Sequence, residues 1–350
     1  MKIEGENNMV EYFIKLKPLN PFYFGSTKSF DDNKNDKDYK KPYFLKGNMY
    51  PQQTAVLGML RKKILEDNGI LIGNAKRNNE QKNREKEYIG NLTKKISEST
   101  FGKIESISSV QVYIDDIPYY FYEDNKTGET NAKFSDIKNF TNKNGKKRLL
   151  EYNPKSFGEY FVNFRNKDKK SKDKIFNEVA ELGIDKQKKE SKDNSLFKKQ
   201  RYLFKERNIY FGFYVILKDV NIKNGFVQLG DKYSIFYLEV EQKNKTEKNL
   251  EINVNQENNL MLFTSDMYIE QDDLNKLLEL SEGINLKNSK FKFINDNNSE
   301  FYKNKNSQNL IKRGSILISN NEVIKILENE KYKNYKKVGF NDYKLIEGDK

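Results

Sequence analysis

The chain has 350 residues, with 64 Lys and Arg against 51 Asp and Glu, a net charge of +13, and no His, Cys or Trp. Those absences exclude thiol nucleophiles, disulfides and thiolate metal sites, and with them imidazole bases, the Ser-His-Asp triad and His-ligated metals. Asp/Glu, Ser/Thr, Tyr, Lys and Arg remain for chemistry, and a hard cation such as Mg²⁺ held by carboxylates stays open.

The length suits two domains. Apolar residues make up 36%, yet 24 Phe and 22 Tyr can build a core where they cluster. The remaining polarity is expected in long solvated insertions. Lys greatly outnumbers Arg, so each Arg is the more informative cation. Met1–Val10 has no apolar leader-like run, and no long apolar stretch follows, so the expectation is a cytoplasmic protein without a membrane span. Charge is unevenly placed. Residues 143–205 carry a net of +10, residues 206–350 a net of zero and residues 1–142 a net of +3. A basic middle stretch suits a polyanion, above all nucleic acid, although a solvated Lys-rich loop would read the same way.

In chain order, Val10–Leu19 reads as a strand, with Tyr12, Ile14 and Leu16 alternating against Lys15 and Lys17. Phe22-Tyr23-Phe24-Gly25-Ser26 reads as an aromatic turn and Asp31–Lys41 as a polar loop. Pro51–Asp67 is the clearest helix, with an apolar stripe of Val56, Leu57, Leu60, Ile64 and Leu65 and a stop at Asn68-Gly69. Asn74–Glu87 reads as a charged linker, Ile107–Ile114 and Tyr119–Tyr122 as strands, and Asp124–Asn144 as an excursion ending in an Asn144-Gly145 turn. Asp173–Leu182 reads as a short helix and Lys186–Lys205 as basic and irregular. Strands are expected at Ile209–Leu217, Phe226–Leu229, Ser234–Val240, Lys290–Ile294, Gly314–Ser319 and Val338–Ile346, with a helix at Asp272–Leu280. The strand–helix–strand order in each half predicts an α+β fold of ferredoxin-like βαββαβ modules, whose open antiparallel sheet is also an RNA-recognition platform.

Two segments are distinctive: Leu16-Lys17-Pro18-Leu19-Asn20-Pro21-Phe22-Tyr23-Phe24-Gly25, and Met49-Tyr50-Pro51-Gln52-Gln53-Thr54-Ala55-Val56-Leu57-Gly58-Met59-Leu60-Arg61. Together they resemble the N-terminal signature of the third subunit of the type III-B CRISPR effector, the Cmr complex, a member of the RAMP superfamily. Short islands continue the resemblance in order: Phe101-Gly102-Lys103-Ile104, Ile107-Ser108-Ser109-Val110, Leu182-Gly183-Ile184, Ser195–Gln200, Val227-Gln228-Leu229-Gly230, Lys312-Arg313-Gly314-Ser315 and Val338-Gly339-Phe340-Asn341. The chain departs from the pattern with Ser109 for a frequent Pro and Asp231 for a frequent second Gly, and Gly339 is what remains of a Gly-rich segment. The resemblance implies two fused ferredoxin-like (RRM-like) domains with long insertions and a β-hairpin thumb. We place them at 9–205 and 206–350 after a flexible tail, 1–8. It implies a non-catalytic subunit without cofactor that holds the 5′ repeat handle of the crRNA. It also implies contacts to the large polymerase-like subunit and to a RAMP backbone subunit, in antiviral defence. Two alternatives stay open: a RAMP-type endoribonuclease processing CRISPR precursor RNA, and the equivalent subunit of a type III-A (Csm) complex.

RNA binding needs cations, N–H donors and gaps that admit phosphate. The candidates are Phe24, Gly25 and Ser26, with a Gly turn and hydroxyls, and Gln52, Gln53 and Thr54 at a helix start, where capping or packing the helix end is the alternative role for the two Gln. Arg61 suits a phosphate or a salt bridge equally. Lys146, Lys147 and Arg148 follow the Asn-Gly turn and suit a thumb or an exposed loop. Lys198, Lys199, Gln200 and Arg201 lie between Phe197 and Tyr202, in the mixture that binds single strands or forms a strand edge over a core. Gly230 and Arg313-Gly314 suit close backbone approach or plain turns. Asp115-Asp116 could hold Mg²⁺, but acidic pairs are common at strand ends and no third ligand is evident.

Overall fold

The structure, a computed structural model, describes residues 8–25, 44–71, 78–93, 96–123, 159–166, 168–187, 190–243, 259–280, 283–285, 288–291 and 308–346. The chain begins with β1 (Met9–Pro18) and β2 (Phe44–Lys46), then α1 (Gln53–Asp67) and α2 (Asn79–Ile89). β3 (Ile104–Ile107), β4 (Gln111–Ile114), β5 (Ile117–Glu123), β6 (Glu159–Val162) and β7 (Lys169–Ser171) follow. One turn of helix, α3 (Lys172–Ile175), leads into two long strands, β8 (Phe176–Gln187) and β9 (Glu190–Phe204). After them come β10 (Ile209–Lys218), β11 (Gly225–Gln228) and β12 (Ile235–Lys243). The C-terminal part holds β13 (Asn259–Phe263), β14 (Met267–Ile269), α4 (Gln271–Leu280), β15 (Gly283–Asn285), β16 (Asn288–Phe291), β17 (Gln308–Ile311), β18 (Ile316–Ser319), α5 (Asn321–Leu327), α6 (Lys333–Lys337) and β19 (Tyr343–Ile346).

Among the described residues the largest sheet has nine strands, ordered β11-β12-β1-β10-β4-β5-β6-β7, with β3 also on β10. β1 sits between β10 and β12 and is antiparallel to both. Its alternation does what the sequence predicts: Tyr12, Ile14 and Leu16 enter the core beneath α1, whose stripe of Val56, Leu57, Leu60, Ile64 and Leu65 is buried. The opposite face carries a second aromatic group, Phe13, Tyr113, Tyr210 and Tyr214. Gly212 makes room for it, since a Cβ there would lie 2.5 Å from the Tyr113 ring and 2.8 Å from that of Phe13.

The sheet takes strands from both sides of position 205/206: β10 and β12, C-terminal to it, pair with β1 along eight residues each. Between β10 and β12, where a βαββαβ unit would place its second helix, the chain runs through β11 instead. The C-terminal part has the full succession: β13, α4, β15, β18, α5 and β19 form a unit whose sheet is ordered β15-β18-β13-β19. The molecule is thus mixed α and β with mainly antiparallel sheets.

Three local expectations are corrected. The charged stretch at 74–87 contains helix α2, started by a capping box in which Asn78 and Gln81 bond each other's backbone N–H. Residues 173–182, expected as a short helix, are mostly strand, because β8 pairs with β9 from Phe176↔Phe204 to Gln187↔Glu190. For the same reason most of the basic stretch at 186–205 is strand β9, Glu190–Phe204, rather than irregular. The β8–β9 hairpin is anchored at its base, where β2 runs parallel to Lys198–Gln200 and Phe22 bridges Tyr202. The tail at 1–7, the excursion at 124–144 and the turn at 144–145 lie outside the described residues.

Candidate nucleic-acid interface

The basic segment of β9 meets the turn between β11 and β12. Arg201 donates to both oxygens of Asp231, Nη1 to Oδ1 at 3.1 Å and Nη2 to Oδ2 at 2.6 Å. It also donates to the Pro21 carbonyl at 3.2 Å and, through Nε, to Glu181. Lys199 Nζ reaches Asp231 Oδ2 at 2.8 Å and lies 4.2 Å from the centre of the Tyr23 ring. The Ser234 hydroxyl donates to Asp231 Oδ1 at 2.6 Å. Burial alone would raise the Asp231 carboxyl, but Lys199, Ser234 and Arg201 outweigh it and hold it at about 2. The turn closes this tightly because Gly230 has φ +101° and no side chain; a Cβ there would sit 2.5 Å from the Tyr23 carbonyl oxygen and 3.0 Å from the Phe24 ring. Lys199 and Arg201 therefore tie β9 to the sheet edge. Both cations are paired with carboxylates in this structure.

A second cluster joins the nine-stranded sheet to the C-terminal unit. Gln53, at the first position of α1, is buried and donates to the Gly339 carbonyl at 2.7 Å and the Ser108 carbonyl at 3.4 Å. Gln111 donates to Ser109 Oγ at 2.8 Å and the Thr264 carbonyl at 3.0 Å, and Ser109 in turn donates to Asp342. Arg313 donates to the Val110 carbonyl, lies 3.8 Å from the centre of the Tyr50 ring, and receives a backbone link as its N–H donates to Asp266 Oδ1 at 3.0 Å. Burial pushes the Arg313 guanidinium down and the Tyr50 phenol up to about 12. Gly314, at φ +82°, packs its Cα side against the Phe121 ring.

The other candidates separate. Phe24 is core, stacked on Phe236 with ring centres 6.0 Å apart, and so offers no face to a base. Gln200 is buried. Arg61 donates to the Gly90 carbonyl at 3.2 Å, fastening α1 to the end of α2, and burial lowers its pKa. The Asp115-Asp116 pair forms the left-handed turn between β4 and β5. Asn208 donates to Asp115, while Lys15 and Tyr210 donate to Asp116, and no carboxylate cluster with metal-ligand spacing occurs among the described residues. Ser26, Lys146, Lys147 and Arg148 lie outside the described residues.

What stays on the surface is a strip at the foot of the β8–β9 hairpin. Gly25 is exposed, and its carbonyl accepts from the Asn48 side chain at 2.5 Å, which closes the chain next to β2. β2 ends in the exposed Lys46 and pairs in parallel with the segment that holds half-buried Lys198. Six residues after Lys46 comes exposed Gln52, followed by half-buried Thr54, at the start of α1. Lys46 and Lys198 make no ion pair among the described residues. Sequence reasoning missed Lys46, which follows Phe44-Leu45 outside any motif, and missed the hairpin, whose paired strands carry charges on both faces.

No protein-family model matches the sequence, and no curated protein matches it. Solved structures do. A chain of the type III-B Cmr-beta complex bound to cognate target RNA aligns with TM-score 0.52 and 16% identity, over 96% of this chain and 98% of that one. The fold is that of a Cmr-beta chain. A second structure of that complex, with target RNA and AMPPnP, gives TM-score 0.53 over the same shares at 16% identity. A chain of the type III-A Csm3-Csm4 subcomplex aligns at 0.39, with 13% identity over 89% of this chain and 93% of that one. The likeness to the Cmr-beta chain runs the length of both molecules, so it takes in the nine-stranded sheet, the hairpin and the C-terminal unit alike. Among the described residues no helix is long and apolar enough to cross a membrane.

Proposed function

We propose that this chain is a non-catalytic, RNA-binding subunit of a type III-B CRISPR effector complex. In this reading two fused ferredoxin-like units form the platform, the β8–β9 hairpin serves as a thumb, and the 5′ repeat handle of the crRNA lies along the strip of Gly25, Lys46, Gln52 and Lys198. The subunit bridges the large polymerase-like subunit and the RAMP backbone. The observation that carries it is the end-to-end likeness to a chain of a complex that binds target RNA. Charge placement agrees, since the cations near the hairpin divide into an inner pair bound to Asp231 and an outer pair facing solvent.

Two features support a role without bond-breaking. The chain has no imidazole or thiol. Burial pushes Tyr50, Tyr113, Tyr120 and Tyr210 up, away from the ionised form that a tyrosine base requires.

The double variant Lys46→Ala/Lys198→Ala is expected to bind repeat-derived RNA about tenfold more weakly, with a salt slope shallower by about 1.4, as two lost phosphate contacts to a single strand require. Filter binding across a salt series reads both quantities. Unchanged affinity and slope would remove this strip from the interface. Incubating the wild-type chain with repeat RNA, with and without EDTA, is expected to leave the RNA intact; metal-independent cutting within the repeat hairpin would favour the processing enzyme instead.

A further inference from the structure

The described surface concentrates exposed apolar side chains at one edge of the large sheet. Phe226 is 69% exposed, Leu19 55%, Tyr233 53% and Ile235 40%. They are neighbours. Leu19 N–H donates to the Ile235 carbonyl at 3.0 Å, Asn20 donates to the Tyr233 carbonyl at 2.6 Å, and the Phe226 and Tyr237 rings pack with centres 5.4 Å apart across β11 and β12. Such a patch on an isolated chain marks an interaction surface.

The edge strand adds a direction. Among the described residues β11 pairs with β12 alone. Leu229 N–H donates to the Ser234 carbonyl at 3.1 Å, and pairing continues in register through Val227↔Phe236 and Gly225↔Leu238. Hydrogen-bonded and non-bonded pairs alternate in an antiparallel ladder, so the N–H and C=O groups of Phe226 and Gln228 point away from β12, along the open edge.

Composition and charge decide the occupant. Leu19 and Ile235 have no π-face for a base, and a single strand of RNA needs a cationic groove. Here Lys17 is bound to Glu239 at 2.7 Å, and Lys199 and Arg201 to Asp231. Lys223 and Lys232 are exposed at the rim and make no ion pair among the described residues. Two copies meeting edge to edge would bring those lysines together, which disfavours self-pairing. We propose that the β11 edge, with Leu19, Phe226, Tyr233 and Ile235, docks an extended segment of a different protein chain, apolar at alternate positions and flanked by acidic residues, by strand addition. The proposal uses none of the residues of the RNA strip, so each can be tested by its own substitutions.

Hydrogen–deuterium exchange on the tagged full chain, alone and within its native assembly, tests it. The amides of Phe226 and Gln228 are expected to exchange at least about tenfold more slowly in the assembly. Phe226→Asp/Ile235→Asp is expected to lose one assembly protein while the purified variant retains repeat-RNA affinity. Gln228→Pro, which removes an outward N–H without touching the ladder, is expected to lose the same protein. Equal exchange in both states would overturn the proposal. So would protection by a single-stranded oligoribonucleotide alone, which would make the edge an RNA site, or protection that grows with the concentration of the chain alone, which would make it a self-association site. Loss of RNA affinity in the wild-type chain would instead count against the function proposed above and leave this surface standing.

Discussion

Asp231→Ala is expected to destabilise the chain by about 3 kcal/mol, at the low end for breaking a buried ion pair because Glu181 stays beside Arg201. For a chain of this size that corresponds to a drop of about 4 °C in Tm. The Arg201 side chain is 6% exposed, and without Asp231 its guanidinium keeps the cost of burial but loses the two-pronged partner that offsets it. The pH dependence has a definite sign. The folded Asp231 titrates at about 2, below its ordinary 3.8. A depressed carboxyl stabilises the fold fully above its unfolded pKa and loses that contribution as pH falls through the folded value. The Tm gap between wild type and Asp231→Ala should therefore be widest above about pH 4 and close toward about pH 2. A gap that is small at pH 7, or that does not narrow on acidification, would contradict the ion-pair account. Changing Lys199 or Arg201 thus tests folding, whereas changing Lys46 and Lys198 tests RNA binding.

Gly339→Ala is expected to cost a further large amount, about 3 kcal/mol, from two sources. Its φ of +82° lies where a Cβ is strained by about 1–2 kcal/mol. The new methyl would also fall on Gln53 Nε2 and within 2.7 Å of the Ser108 carbonyl oxygen, displacing a buried amide from both its acceptors at a cost of about 1–3 kcal/mol. Gly25→Ala is the control. A Cβ at Gly25 meets nothing within 4 Å, so its thermal unfolding should match wild type within about 0.5 kcal/mol. Equal effects at the two glycines would show that Gln53 does not bind the two sheets together.

These pairs explain how much the sequence discloses. α1 was legible because Pro51 and an apolar stripe at helical spacing mark one face and one start. β1 was legible because its alternation matches a sheet with one face in the core. α2 was not, because a helix with little buried surface has no stripe; its one local mark was the Asn78-x-x-Gln81 spacing. β8 and β9 were not, because their stability comes from each other and from β2 rather than from either strand's own pattern.

The candidate site divides in the same manner. The scattered motif islands do converge in space, but on packing seams. Gln53, Ser108, Arg313 and Gly339 meet at one, and Tyr23, Lys199, Arg201 and Gly230 at the other. The sequence marks these positions as constrained without telling which neighbour constrains them. Asp231 is the clearest case. It stands where the family resemblance led to a second Gly, and it supplies the carboxylate that neutralises Arg201 from 30 positions away. A charge pair across that separation leaves no trace in local composition, so the carboxylate partner of Arg201 becomes visible only in the fold.

The central claim is that this chain grips RNA within a larger assembly. Sequencing the nuclease-protected RNA in the native assembly, purified through a tagged copy at physiological salt, tests it most directly. The account predicts guide RNAs that share one repeat-derived 5′ handle. An intact assembly devoid of RNA, or one holding RNA without that common end, would contradict it.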